Sequence, residues 1–167
     1  MKFKVTILVS ILLSPVPGYG GDEHNIHLTT NGIEALSPEL RSLLSEEMVA
    51  LQSGMQSIIP AYVSGNWEGV EKIAGQVKNS YILQQSLTKT QIHEMHTLLP
   101  QGFIEKDKRF HYLAGMLEHA AKNKKPELIN FYFSEMSESC VSCHSSYATH
   151  RFPALKPIVE SEHAHQE

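Results

Sequence analysis

From Ser37 onward apolar residues return every three or four positions, a period that belongs to helices rather than strands. Ser37-Pro38-Glu39 predicts a helix start, with Ser as N-cap, Pro at the first helical position and an acid where the helix dipole is positive. The stripe behind it is Leu40, Leu43, Leu44, Met48, Leu51, Met55, Ile58 and Ile59, with Glu46, Glu47 and Gln52 expected off it. Pro60 is expected to bend or end this helix, and Gly65-Asn66 offers a C-cap glycine followed by a new N-cap. A second helix is expected from Trp67 through Val70, Ile73, Ala74, Val77 and Tyr81, fraying over residues 84–89 before a shorter helical segment over residues 90–98. Pro100-Gln101-Gly102 should end that segment.

The third helix carries Phe103, Asp107, Phe110, His111, Ala114, Leu117, Ala120 and Ala121. It should stop in Lys122-Asn123-Lys124-Lys125, where cations suit the negative helix end. Pro126-Glu127 opens a fourth, whose stripe is Leu128, Tyr132, Phe133, Met136, Cys140, Cys143, His144 and Tyr147. It should end by Phe152, since Pro153 disfavours a helical residue before it. Four amphipathic segments, short loops and no alternating pattern predict an all-α fold, an antiparallel four-helix bundle over residues 37–155.

The chain of 167 residues fits one domain that needs no disulfide scaffold. Residues 1–20 have the form of a signal peptide: basic Lys2 and Lys4, an apolar stretch from Val5 to Leu13, and a small-x-small site at Gly18-Tyr19-Gly20. Cleavage is expected near Gly20, and so short an apolar run predicts a periplasmic, exported product without membrane insertion. Residues 21–36 are expected to form a flexible leader and residues 156–167 a polar tail, so that His24, His27, His163 and His165 are most simply solvated. Losing Lys2 and Lys4 leaves 12 basic residues against 18 acidic ones and moves the net charge from −4 to −6. That balance, with no long basic run, argues against nucleic acid as a partner.

Only two cysteines occur, in Cys140-Val141-Ser142-Cys143-His144. This is C-x-x-C-H, the attachment signature of haem c: two thiols add to the vinyl groups and the adjacent imidazole reaches the iron. On a helix, offsets of three and four put all three side chains on one face, as a flat macrocycle requires. A thioredoxin-like dithiol would need a β-α-β setting and a helix N-terminus, whereas Cys140 falls about four turns into its helix. Zinc would need a second ligand pair that the cysteine count does not supply.

A signal peptide, four helices and one C-x-x-C-H near the C-terminus resemble the cytochrome c prime family of haem-binding bundles. The resemblance spans roughly Leu36 to Tyr147. It rests on the haem motif with Tyr147 one turn on, the alanine-rich third helix ending in Ala120-Ala121, and the first-helix segment from Met55 to Gly65 with Pro60 inside. It implies one haem c (iron) per chain, Cys140 and Cys143 as thioether attachments and His144 as proximal iron ligand. In the family the residue over the distal face comes from the first helix, and that alignment implies Met48 as candidate distal ligand, with Met55 as substitute. Family members often pair as homodimers, so a homodimer is an allowed state. Two positions depart from the family pattern: Ala148 stands where a basic residue commonly follows the tyrosine, with Arg151 nearby, and Leu44 replaces a first-helix arginine, with Arg41 one turn earlier. Both serve haem propionates in the family.

A His144/Met48 pair implies six-coordinate iron and a one-electron carrier that meets redox partner proteins. If Met48 only packs above the haem, the iron is five-coordinate and binds gases such as nitric oxide or carbon monoxide. His111 lies on the inner stripe and is a further ligand candidate, although a buried histidine is more often a hydrogen-bonded structural residue. His93, His96, His119 and His150 read as exposed. A peroxidase would need a distal acid-base group, and Leu44, Met48 and Leu51 have no proton to trade, so the expectation is a cytochrome that is not an enzyme.

Overall fold

The computed structural model describes residues 32–156, with the backbone alone at 84 and 85. The expected signal peptide, residues 21–31 of the expected leader and the tail beyond Lys156 lie outside the described residues, whereas the last leader residues form the Ile33–Ala35 turn and bury Leu36. Among the described residues every regular element is helical: α1 (Pro38–Val63), α2 (Trp67–Lys78), α3 (Leu83–Ser86), α4 (Lys89–Leu98), α5 (Gln101–Lys122) and α6 (Pro126–Tyr147), with 3-10 turns at Ile33–Ala35 and Pro153–Leu155. No helix among them is long and apolar enough to cross a membrane.

The helix starts follow their sequence signals. Ser37 Oγ accepts from the Leu40 N–H with Pro38 at the first position, and Asn66 caps α2 by accepting from the Gly69 N–H. Gly65 turns the chain between α1 and α2 at φ 69°, and Lys124 does the same between α5 and α6 at φ 52°. Such tight turns make α1/α2 and α5/α6 antiparallel neighbours.

Several boundaries differ from expectation, each for a local reason. Pro60 does not end α1; the helix continues to Val63. α2 stops at Lys78, because Ser80 takes a left-handed φ of 57°, and Tyr81 lies in the loop beyond. α4 begins at Lys89 on a capping box in which Thr88 accepts from the Gln91 N–H and Gln91 accepts from the Thr88 N–H. Pro100 caps α5, so Gln101 and Gly102 belong to its first turn. The end of α6 at Tyr147, by contrast, falls within the expected limit of Phe152.

Burial corrects two stripes. On α1 the buried positions are Leu40, Leu44, Glu47, Leu51, Gly54 and Ile58, a strict alternation of four and three, so Glu47 lies inside the molecule and Ile59 outside. On α6 the first core position is Ile129, not Leu128: Ile129 is fully buried and Leu128 is 47% exposed. The core divides into two clusters. The larger joins Leu51, Ile58, Val70, Ala74, Val77 and Leu113 to Leu117, Ile129 and Met136; the smaller joins Leu36, Leu40, Leu44 and Leu99 to Phe103 and Ile104 at the other end.

α1 packs along α2, α2 along α5, and α5 along α6, whereas backbone contact between α1 and α6 is all but absent. Of the neighbouring pairs α1–α2, α2–α5, α5–α6 and α1–α6, the α1–α6 seam is therefore the loosest.

Candidate haem site

Cys140 and Cys143 follow Ile129 and Met136 in phase along α6, which carries their half-buried thiols inward. Cys140 packs against the larger cluster and Cys143 against the smaller, so the motif straddles the junction of the two. Met48 on α1 is half-buried and packs against both clusters. At the far end of the loose seam, the Tyr62 hydroxyl donates to the Pro126 carbonyl at 3.3 Å. From that contact Met48 lies 14 residues back along α1 and Cys140 14 residues on along α6. At 1.5 Å per residue both stand about 21 Å from it, so the two face each other across the seam to within about a turn. Leu44 stands level with His144 by the same count.

Burial pushes the Cys140 thiol up, against a smaller downward pull from a backbone hydrogen bond. Burial also pushes Cys143 up; Lys106 draws it down, and Asp107 and Cys140 add to the rise. A dithiol redox site works through a stabilised thiolate, and these two are stabilised as thiols. Both cysteines are free rather than paired, and among the described residues no three His, Cys, Asp or Glu side chains gather as a metal cage. The zinc alternative thus lacks its remaining ligands there.

His144 is half-buried, and its ring stacks on Phe152 at 4.4 Å between centroids and 9° between planes. Phe152 reaches it through a turn in which the Arg151 and Phe152 N–H groups both donate to the Ala148 carbonyl. Burial, and then the Arg151 charge, lower the His144 pKa, which keeps the imidazole in the neutral form that a metal accepts. One turn on, Tyr147 packs edge-on against Phe103 at 5.4 Å.

Lys106 donates to the Ser142 hydroxyl at 2.5 Å, inside the motif, and pairs with no carboxylate among the described residues. Arg151 is exposed beside His144, and Arg41 is spent on the Glu34 carbonyl. His111 is held away from the seam's chemistry: Nδ1 donates to the Val77 carbonyl at 2.8 Å and Nε2 lies 3.5 Å from Asp107. His93, His96, His119 and His150 are exposed.

Phe152, Lys106 and Glu47 are neighbours that the helical stripes did not nominate. Only Glu47 had a signal, since it fills the seven-residue gap between Leu44 and Leu51 on a strict four-three pattern.

The residues present fit a covalently attached haem: two free inward thiols and a neutral imidazole on one helical face, a loose seam before them, and a thioether on the opposite wall. No protein-family model, curated protein or solved structure matches the chain, so this assignment rests on the residues and their geometry.

Proposed function

We propose that the chain is an exported monohaem c-type cytochrome, a four-helix bundle of the cytochrome c prime kind, that carries one electron at a time between periplasmic redox partners. Cys140 and Cys143 are its thioether attachments, His144 its proximal iron ligand and Met48 its distal one. Held by these residues, a haem would supply a one-electron iron couple, with a potential that a thioether ligand would raise. The protein's part is to hold the group in the seam, exclude water with the two apolar clusters and fix both ligands. The observation that carries the reading is the level of Met48 against Cys140 across the α1–α6 seam, whose backbones make almost no close contact.

The test is expression of the full chain in a host that matures c-type cytochromes. Haem should stay with the polypeptide on a denaturing gel, in the periplasmic fraction, and be lost in Cys140→Ala/Cys143→Ala. Haem that survives denaturation in the double variant, or never attaches to the parent, refutes the reading. The reduced protein should also keep a low-spin spectrum under carbon monoxide; a shift would assign an open distal site and gas binding instead.

A further inference from the structure

Beside Met48, the chain spends a buried carboxylate. Glu47 is 1% exposed and lies in the middle of α1. Its Oε1 accepts from the Ser80 hydroxyl at 2.7 Å and from the Tyr81 N–H at 3.0 Å; its Oε2 accepts from the Ile82 N–H at 2.6 Å and the Leu83 N–H at 3.3 Å. Three successive backbone donors, two in the α2–α3 loop and one at the start of α3, thus converge on one side chain from another helix, a concave anion site of the kind that successive N–H groups make. Charge-assisted hydrogen bonds are the strong ones, and four on one carboxylate fix its position closely.

Met48 is the next residue, about 100° further round the same helix turn. On its side α1 has almost no backbone contact with α6, and what holds it there is the apolar packing of Met48 and Met55 and the Tyr62–Pro126 hydrogen bond at the far end. A side-chain tip lies about 5–6 Å from a helix axis, so a turn of about 20° moves it about 2 Å, as much as separates a bonded from a non-bonded sulfur. Apolar packing is non-directional and tolerates such a shift far better than four directed hydrogen bonds do.

We propose that Glu47 is a positioning residue for the distal ligand: by gripping the α2–α3 loop it sets the rotation of α1 that aims Met48 across the seam. This rests on the haem reading above and adds that the sixth coordination position is controlled from an adjoining, buried face of α1, through the hold of Glu47 on the α2–α3 loop.

The test is a double-mutant cycle on the mature holoprotein, combining Glu47→Gln with Met48→Ala and reading carbon monoxide affinity of the reduced form. Gln keeps the volume but turns an amide N–H₂ toward at least one pair of donors. Covalent haem on a denaturing gel and helical circular dichroism show that each variant is loaded and folded. Glu47→Gln should raise the affinity about tenfold or more, the worth of one lost charge-assisted hydrogen bond. Met48→Ala should raise it at least as far, and the double variant no further than Met48→Ala alone. Glu47→Asp, which keeps the charge and draws the acceptor back by one methylene, should act in the same direction and serves if the Gln variant does not fold. Parental affinity in either folded variant, or the same gain from Glu47→Gln in the Met48→Ala background, overturns the proposal while leaving the haem assignment intact. Absence of covalent haem from the parent overturns the assignment itself.

Discussion

The rotation of α6 decides whether the two thiols face the seam, and two adjacent residues at its other end measure that rotation. Ile129 is fully buried in the larger cluster, and Leu128, next to it, is 47% exposed. Counting forward from Ile129 by seven to Met136, then by four and three, gives the same helical phase that carries Cys140 and Cys143, so the face that buries one turns the others inward. Ile129→Ala removes buried carbon from a packed site and should cost about 3–4 kcal/mol, transfer and cavity together. Leu128→Ala loses only part of a transfer free energy, about 1 kcal/mol or less. With a urea dependence of about 2 kcal/mol per molar for a domain of this size, the midpoints should separate by roughly 1–1.5 M. The assay is urea unfolding of both variants followed by circular dichroism under one set of conditions. Equal midpoints, or a larger loss from Leu128→Ala, would mean that α6 is turned by about one residue. Cys140 and Cys143 would then no longer share the buried face, and the site would fail with the fold.

Other outcomes are equally specific. For His111, burial lowers the pKa, but the Asp107 hydrogen bond and charge, the Val77 carbonyl and the Glu47 charge together outweigh it and leave the folded value raised. Its contribution to stability is therefore fully present below the unfolded imidazole value of about 6.5 and is lost as pH rises through the higher folded value; His111→Gln should remove that part of the pH dependence of the urea midpoint, and an unchanged profile would be the contrary result. In chain made without haem, burial of Cys140 and Cys143 should make both react slowly with a thiol reagent at neutral pH and quickly once unfolded in urea; fast reaction in the folded chain would place the thiols outside. Asn66→Ala, which strips the α2 N-cap, should cost about 1 kcal/mol in thermal or urea unfolding, and no loss would show that the cap does not form.

The helices were legible because capping and turn residues act locally. Ser37-Pro38, Gly65-Asn66 and Pro126 each do in three dimensions what their chemistry dictates along the chain. What the sequence stripes misplaced depends on partners far away. Leu128 and Ile129 both suit an apolar face, and only the neighbouring helix chooses between them. Tyr81 continues the α2 period, yet the loop leaves the helix at Ser80 and gives its N–H groups to Glu47, 34 residues earlier in the case of Tyr81. The C-x-x-C-H motif was legible in the sequence, since spacing alone puts its three side chains on one face. Its setting was not: the stack of His144 on Phe152 and the Lys106–Ser142 hydrogen bond depend on how the chain turns after α6 and on where α5 lies.

The two stripes of α1 also bear on why the bundle is built this way. Leu40, Leu44, Glu47, Leu51, Gly54 and Ile58 form one line of buried positions. A second line, displaced by one residue, runs Leu44, Met48, Leu51, Met55, Ile58 and Tyr62, and its members not shared with the first are only half-buried. Across the loose seam, Phe133, Cys140 and Cys143 on α6 are half-buried too. Apolar surface left in water forfeits about 25 cal/mol per Å², and bundles ordinarily recover it by bringing the last pair of helices together. Here the backbones of α1 and α6 make almost no close contact where the apolar lines face each other, while the polar grip of Glu47 fixes α1 to the α2–α3 loop on an adjoining face. A flat apolar group bonded to Cys140 and Cys143 would cover both lines at once, without requiring α1 to move toward α6.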